Sequence, residues 1–261
     1  MATIADIVGF LTELAGPLNR DEGIRYGKLT REVTGICVCW MATPEAIKFA
    51  HSKGANLMVC HEDLFLPYGK VEGSETAADF LSWEINRGRL ELLSKYAMAV
   101  MRLHGSLDKR CVLDAFARQL ELGEPLVSKT DYVKVYQIEP VSISELTKRV
   151  KQLLNMDGIR AAINDPNRSV SRIGLAWGGL GLFVNATFIQ DLIANGCEAL
   201  IAGETDNYAM RMALEAGVDI IETSHEVSES KGLRRFAHEL ANLCPDLEVF
   251  FYEVVRCWKM V

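Results

Sequence analysis

The stretch GICVCWMATPEAIKFAHSKGANLMVCHED, residues 35–63, decides how the rest of the chain is read. Residues 35–42 form an apolar run of strand length, and residues 55–60 form another. Between them Thr43 stands as an N-cap ahead of Pro44 at the first helical position, so 44–53 reads as a helix. Two buried strands flanking a helix imply a parallel pair with a right-handed crossover. His61, Glu62 and Asp63 then stand just past the carboxyl end of the second strand.

The alternation continues outward. Downstream, a helix is expected from about 74 to 95, with apolar positions at Ala78, Leu81, Ile85, Leu92 and Leu93. A strand at 97–103 and a helix at 108–120 follow. Upstream, Ile4, Ile7, Val8, Leu11 and Leu14 recur as a helical stripe. The second half repeats the logic, with strands at 132–138, 159–164, 170–176, 198–202, 218–223 and 247–252. Helices are expected at 142–155, 186–195, 206–216 and 228–243; Ser142 and Glu145 open the first as a capping box, and Gly196 and Gly217 close the next two. Pro166 and Asn167 turn the chain between two of the strands. Residues 123–130 are the weak point. The fold class is therefore α/β, with two similar lobes, 1–125 and 126–261, interlocked in one compact unit. Their sheets are mostly parallel or mixed and flanked by helices.

Composition bounds the function. The chain has 261 residues, 49% of them apolar, and 28 basic against 35 acidic side chains for a net charge of −7. That composition excludes a disordered chain and argues against a nucleic-acid binder, which needs a basic field. The longest apolar stretch, 36–42, is about a third of the ~20 residues a membrane span needs. Asp6 and Glu13 interrupt the apolar residues near the start, so no secretory leader is expected and the location is cytoplasmic. Of seven cysteines, Cys37, Cys39, Cys60, Cys197 and Cys257 lie in or beside apolar runs, and no CxxC pair exists. Buried, reduced thiols are the simpler reading, with Cys37 and Cys39 as a ligand pair on one strand face the alternative.

Functional groups in open α/β sheets collect past the carboxyl ends of strands. Three of the five histidines fall there, each near an acid: His61 with Glu62, His104 with Asp108, His225 with Glu229. His51 and His238 fall inside helices. Residues four apart share a face of a helical turn, so each of the latter two pairs converges on one point. Three imidazoles and three carboxylates suit Zn, Mn, Fe(II) or Co, and their number suggests two ions. A bridged water then becomes a nucleophile near neutral pH. The competing reading makes each histidine a cap or a buried hydrogen-bond partner. The loop Gly178-Gly179-Leu180-Gly181 is either a tight turn or a backbone cradle for an anion.

Three blocks resemble the Nif-three-like (NGG-one-interacting-factor-three) family, also labelled GTP cyclohydrolase I type 2. They are Ala55-Asn-Leu-Met-Val-Cys-His-Glu-Asp-Leu-Phe65, Leu103-His-Gly-Ser-Leu-Asp108 and Ser224-His-Glu-Val-Ser-Glu229. They are similar to the family's His-His-Pro, His-x-x-x-Asp and Gly-His-x-x-x-Glu blocks. The resemblance implies a dinuclear metal site between the two lobes, with His61, Glu62, His104, Asp108, His225 and Glu229 as metal residues. Asp108 and Glu229 would bridge, and His104 would ligate or orient Asp108. It also implies a toroidal homohexamer. Glu62 stands where the family has its second histidine, Asp63 where it has proline, and no Trp-Asp-Asn block is present; Tyr26-Gly27 is the nearest stretch. The exchange to Glu62 shifts preference toward Mn, Fe or Mg.

Three functions follow as expectations. The first is a hydrolase that uses two divalent ions (Zn, Mn, Fe or Mg) on a small phosphorylated or nucleotide-like substrate, with Glu204 or Glu226 as general base. The second is a non-catalytic, metal-stabilised ring that binds a protein or nucleic acid through a basic lining of Lys109, Arg110, Arg211 and Arg234. The third is a fold retained without metal because of Glu62.

Overall fold

The computed structural model describes residues 2–66 and 79–260. Along the chain the elements are α1 (Ile4–Ala15), β1 (Gly23–Tyr26), β2 (Ile36–Cys39), α2 (Pro44–Ser52), β3 (Leu57–Cys60), α3 (Glu84–Lys95), β4 (Ala99–Arg102) and α4 (Gly105–Leu107). There follow α5 (Leu113–Gln119), β5 (Pro125–Ser128), β6 (Lys134–Ser142), α6 (Ile143–Leu153), β7 (Arg160–Ala162), β8 (Ser169–Ala176), α7 (Ala186–Ala194) and β9 (Ala199–Ala202). The last are α8 (Asn207–Glu215), β10 (Asp219–Glu222), α9 (His225–Leu243) and β11 (Val249–Tyr252). Two compact units result: Met1–Cys111 with Gly232–Val254, and Val112–Lys231 with Val255–Val261.

The first unit holds a five-stranded sheet in the order β1-β4-β3-β2-β11. β11, β2, β3 and β4 are parallel, and β1 runs antiparallel along β4. The middle strands are buried on both faces, which is why they read as continuous apolar runs rather than alternating ones. One face, with Cys37, Cys39, Met58, Cys60 and Val100, packs with Ala46, Ile47 and Ala50 of α2 and Leu93 of α3. Thr43 caps α2 by accepting from the Ala46 N–H, with Pro44 in the first turn, as its sequence implies.

The second unit holds a six-stranded mixed sheet, β5-β6-β8-β9-β10-β7. β8, β9 and β10 are parallel; the other pairings are antiparallel. Ile189 and Leu192 of α7 and Ala209 and Ala213 of α8 pack with Leu200, Ala202 and Ile220.

Several expectations need correction. The chain divides at 111/112 rather than 125/126, because β5 and β6 form one antiparallel ladder across residues 123–130. The last strand belongs to the first unit, paired with β2. Pro166 and Asn167 do turn the chain between β7 and β8, as expected, and the two strands they join pair elsewhere: β7 with β10, β8 with β6 and β9. The expected helix at 74–95 is α3 alone among the described residues, preceded by a short 3-10 turn, and its first part lies outside them. Its buried positions are Asn86, Arg89 and Leu93, while Leu81 and Ile85 are exposed. Asn86 bonds the backbone of Leu66 and Phe80, and Arg89 the carbonyl of Leu64, so polar side chains that hold a loop displace the apolar stripe. Cys257 is exposed and Cys244 partly so; the other five cysteines are buried.

Candidate metal-binding clusters

In the first unit the parallel strands β3 and β4 end on the same edge, so His61 and His104 emerge side by side, ring centroids 4.9 Å apart. His61 is fully buried. Its Nδ1 lies 3.2 Å from the Leu103 carbonyl oxygen, and its Nε2 lies 3.5 Å from Asp108 Oδ1. A carbonyl only accepts, so Nδ1 carries the hydrogen and the ring presents Nε2 to the carboxylate. Asp108 begins a five-residue π-helical turn, Asp108–Val112, a widening of the helix that often marks functional positions.

His104 is tied in the same way, with Nδ1 2.9 Å from Asp21 Oδ2. Asp21 was not among the expected site residues. Neither was Glu22, whose Oε1 accepts from the backbone N–H groups of His104 and Ser106 and from the Ser106 hydroxyl. Both precede β1, and only the antiparallel register of Gly23 opposite Arg102 brings them here. The His104 hydrogen bond, reinforced by the Arg102 charge, holds the Asp21 carboxyl down at about 2. His61, Glu62 and His104 each offer a ligand atom within 4.8 Å of the other two. Two donors of one ion at ~2.1 Å bonds lie at most ~4.2 Å apart, so the set needs only small side-chain movements to take a cation.

In the second unit β8, β9 and β10 likewise end on one edge, carrying Gly178, Glu204 and His225 just past them. α9 starts at His225, three residues earlier than expected, so His225 and Glu229 are one helical turn apart. His225 Nε2 lies 3.3 Å from Glu229 Oε1, and its Nδ1 lies 3.1 Å from Glu204 Oε2. Glu226 is buried and its Oε1 accepts from the Cys257 N–H. Ser224, just before the helix, has φ +128°, strained backbone for a non-glycine residue, and its N–H donates to the Gly203 carbonyl.

The glycine loop is a close-packed turn. Gly178 has φ +54°, and a Cβ there would strike Glu229 Oε1. Its N–H donates to the Ser228 hydroxyl and its carbonyl accepts from Glu204, so this amide serves the fold rather than an anion. Gly203 lies equally close, with a Cβ placed 2.5 Å from Gly178 backbone atoms.

Two of the four basic residues expected to line a ring are engaged elsewhere: Arg110 with Glu239 and the Leu14 carbonyl, Arg234 with Glu253 and the Phe251 ring. No cysteine belongs to a candidate metal group among the described residues. Cys39 and Cys60 Sγ atoms face each other at 3.4 Å inside the core.

The family model of Duf34/NIF3 (NGG1p interacting factor 3) matches residues 2–257. A Streptococcus pneumoniae serotype 4 protein named GTP cyclohydrolase 1 type 2 homolog is 23% identical over 221 residues, 78% of this chain and 76% of that one. A Clostridium perfringens protein of the same name is 22% identical over 231 residues, 86% of each chain. The crystal structure of a Bacillus cereus protein related to NIF3 superposes with a TM-score of 0.81 at 13% identity, covering 99% of both chains. At that identity the likeness concerns the fold alone.

Proposed function

The chain belongs to the Duf34/NIF3 (NGG1p interacting factor 3) family, and on that premise we propose that it is a metal-dependent hydrolase of a small phosphorylated or nucleotide-like substrate. One observation carries this reading. Each of the three strand-end histidines has its Nδ1 against an acceptor: the Leu103 carbonyl for His61, Asp21 for His104, Glu204 for His225. Such a bond fixes the tautomer and presents Nε2, the usual arrangement of a metal-ligating histidine. In two of them Nε2 faces a carboxylate oxygen at 3.3–3.5 Å. A lone pair and a carboxylate repel unless a proton or a cation stands between them.

His61, Glu62, His104 and Asp108 of the first unit, and His225 and Glu229 of the second, would hold two divalent ions. Bound there, such ions lower the pKa of a coordinated water and polarise a substrate oxygen. Three carboxylates against two divalent ions leave one net positive charge, which complements a phosphate. Of the two carboxylates proposed to move a proton, Glu204 is better placed than Glu226. It is half-exposed and touches His225, whereas Glu226 is buried and engaged with the Cys257 backbone. Phe183 and Tyr208, both exposed with ring centroids 5.7 Å apart, offer a stacking face for a nucleobase; Tyr208 follows Glu204 by four residues, and the Phe183 N–H donates to Asp206.

None of the described helices is long and apolar enough to cross a membrane, and we propose a cytoplasmic homohexamer. Protein purified without chelator is expected to carry about two ions per chain by elemental analysis. It is expected to release phosphate or base-derived product from a nucleotide panel, to lose that turnover in EDTA and to regain it with Mn²⁺ or Zn²⁺. Less than half an equivalent of metal, or turnover indifferent to EDTA, overturns the proposal. Sedimentation of anything other than six chains overturns the hexamer alone.

A further inference from the structure

Arg102 closes β4, and its side chain is only 7% exposed. Its Nε donates to the His61 carbonyl at 3.0 Å. Its Nη1 lies 3.0 Å from Asp21 Oδ2 and 3.5 Å from Asp63 Oδ2. Its Nη2 lies 3.8 Å from Glu62 Oε2. Asp21 in turn holds His104 Nδ1. One guanidinium therefore reaches each of the three residues whose ligand atoms converge: His61 through its backbone, Glu62 through its carboxylate, and His104 through Asp21.

We propose that Arg102 is the positioning residue of this donor set; the inference rests on the metal-binding reading above. A buried guanidinium needs partners, and Asp21, Glu62 and Asp63 supply three carboxylates, with Arg25 3.9 Å from Asp63 on the far side. Three carboxylates against two guanidinium groups leave one negative charge, so the cluster still favours a cation. Charge is not the reason for Arg102, however, since a fixed positive charge beside a metal site opposes the metal. The reason is geometry. The planar fork points its donors along fixed directions to four separate partners, whereas a lysine ammonium is a single point on a flexible stem. Attraction of one Glu62 oxygen, at ion-pair rather than hydrogen-bond distance, leaves the other to the histidines. Holding Asp21 fixes the carboxylate that fixes the His104 tautomer.

The test compares wild type with Arg102→Lys, which keeps the charge and removes the fork. Metal-free melting and near-ultraviolet circular dichroism establish that the variant folds. Co²⁺ is then titrated against a competing chelator while its visible absorption is recorded. Arg102→Lys is expected to bind Co²⁺ about 10–100-fold more weakly, with an altered absorption band. Wild-type affinity and an unchanged band in that variant overturn the role of Arg102 and leave the hydrolase reading standing. If wild type binds no Co²⁺, the hydrolase reading falls instead, and the metal-free imidazole ¹⁵N shifts decide the matter. Arg102→Lys should disturb the His104 nitrogens; unchanged shifts overturn the proposal. If Arg102→Lys does not fold, Asp21→Asn replaces it in the same measurements. It cuts one arm and leaves the buried guanidinium in place, and a His104 pattern identical to wild type overturns the proposal.

Discussion

Gly178 shows how a single position can be fixed by two independent demands. Its φ of +54° disfavours a side chain, and a Cβ would collide with Glu229 Oε1. Gly178→Ala should therefore displace Glu229 from His225. Metal uptake is expected to fall about tenfold or more while the protein still folds, which equilibrium dialysis together with circular dichroism would check. Asp21 supports a second residue-level prediction. Its carboxyl titrates at about 2 instead of 3.8, because of the His104 hydrogen bond and then the Arg102 charge. A depressed carboxyl adds stability that is complete above about pH 4 and fades as the pH falls toward about 2. Asp21→Asn should thus cost stability near neutrality and next to nothing at about pH 2, as urea denaturation at a series of pH values would record. The cost should be modest, since Asp21 is nearly half exposed. His61, His104 and His225 were legible in the sequence because a strand and its end are local features. Asp21 and Arg102 were not, because their meeting depends on an antiparallel register between residues about 80 apart.

Elements were legible wherever their punctuation was local. Thr43 and Ser142 cap α2 and α6 where their sequences imply, accepting from Ala46 and Glu145. Gly196 and Gly217 follow α7 and α8 with φ of +84° and +74°. α3 was misread because Asn86 and Arg89, polar in sequence, face inward to serve carbonyl groups. β1 was missed altogether: four half-buried residues with Gly23 and Arg25 among them give no apolar run. Asp206 makes the element-scale prediction. It caps α8 by accepting from the N–H groups of Tyr208 and Ala209, and it also accepts from the Phe183 N–H. Asp206→Ala is expected to cost about 1–2 kcal/mol in chemical denaturation. It should also loosen the Phe183–Tyr208 pair, seen as a faster, less anisotropic Tyr208 ring signal.

At the scale of the whole molecule, thiol chemistry reports on the two units together. Burial pushes Cys37, Cys111 and Cys197 up to about 12, and Cys39 and Cys60 lie in the first unit's core. Only Cys244 and Cys257 have appreciable exposure. Ellman's reagent should therefore titrate two of the seven thiols rapidly in the native protein and all seven in denaturant; rapid reaction of a third would contradict this packing. The alternation of strands and helices announced an α/β protein, but not which strand lies beside which. β11 pairs with β2 residue for residue, Val249 opposite Ile36 through Tyr252 opposite Cys39. That pairing has a consequence in time. A ribosome delivers β11 more than two hundred residues after β2, about 10–40 s later at typical elongation rates. Through that interval the nascent first unit carries a bare hydrophobic strand edge, while residues 112–231 of the second unit are being made. The first unit's sheet is therefore open to misassociation from the emergence of β2 until the emergence of β11, and the length of chain between the two strands sets how long that lasts.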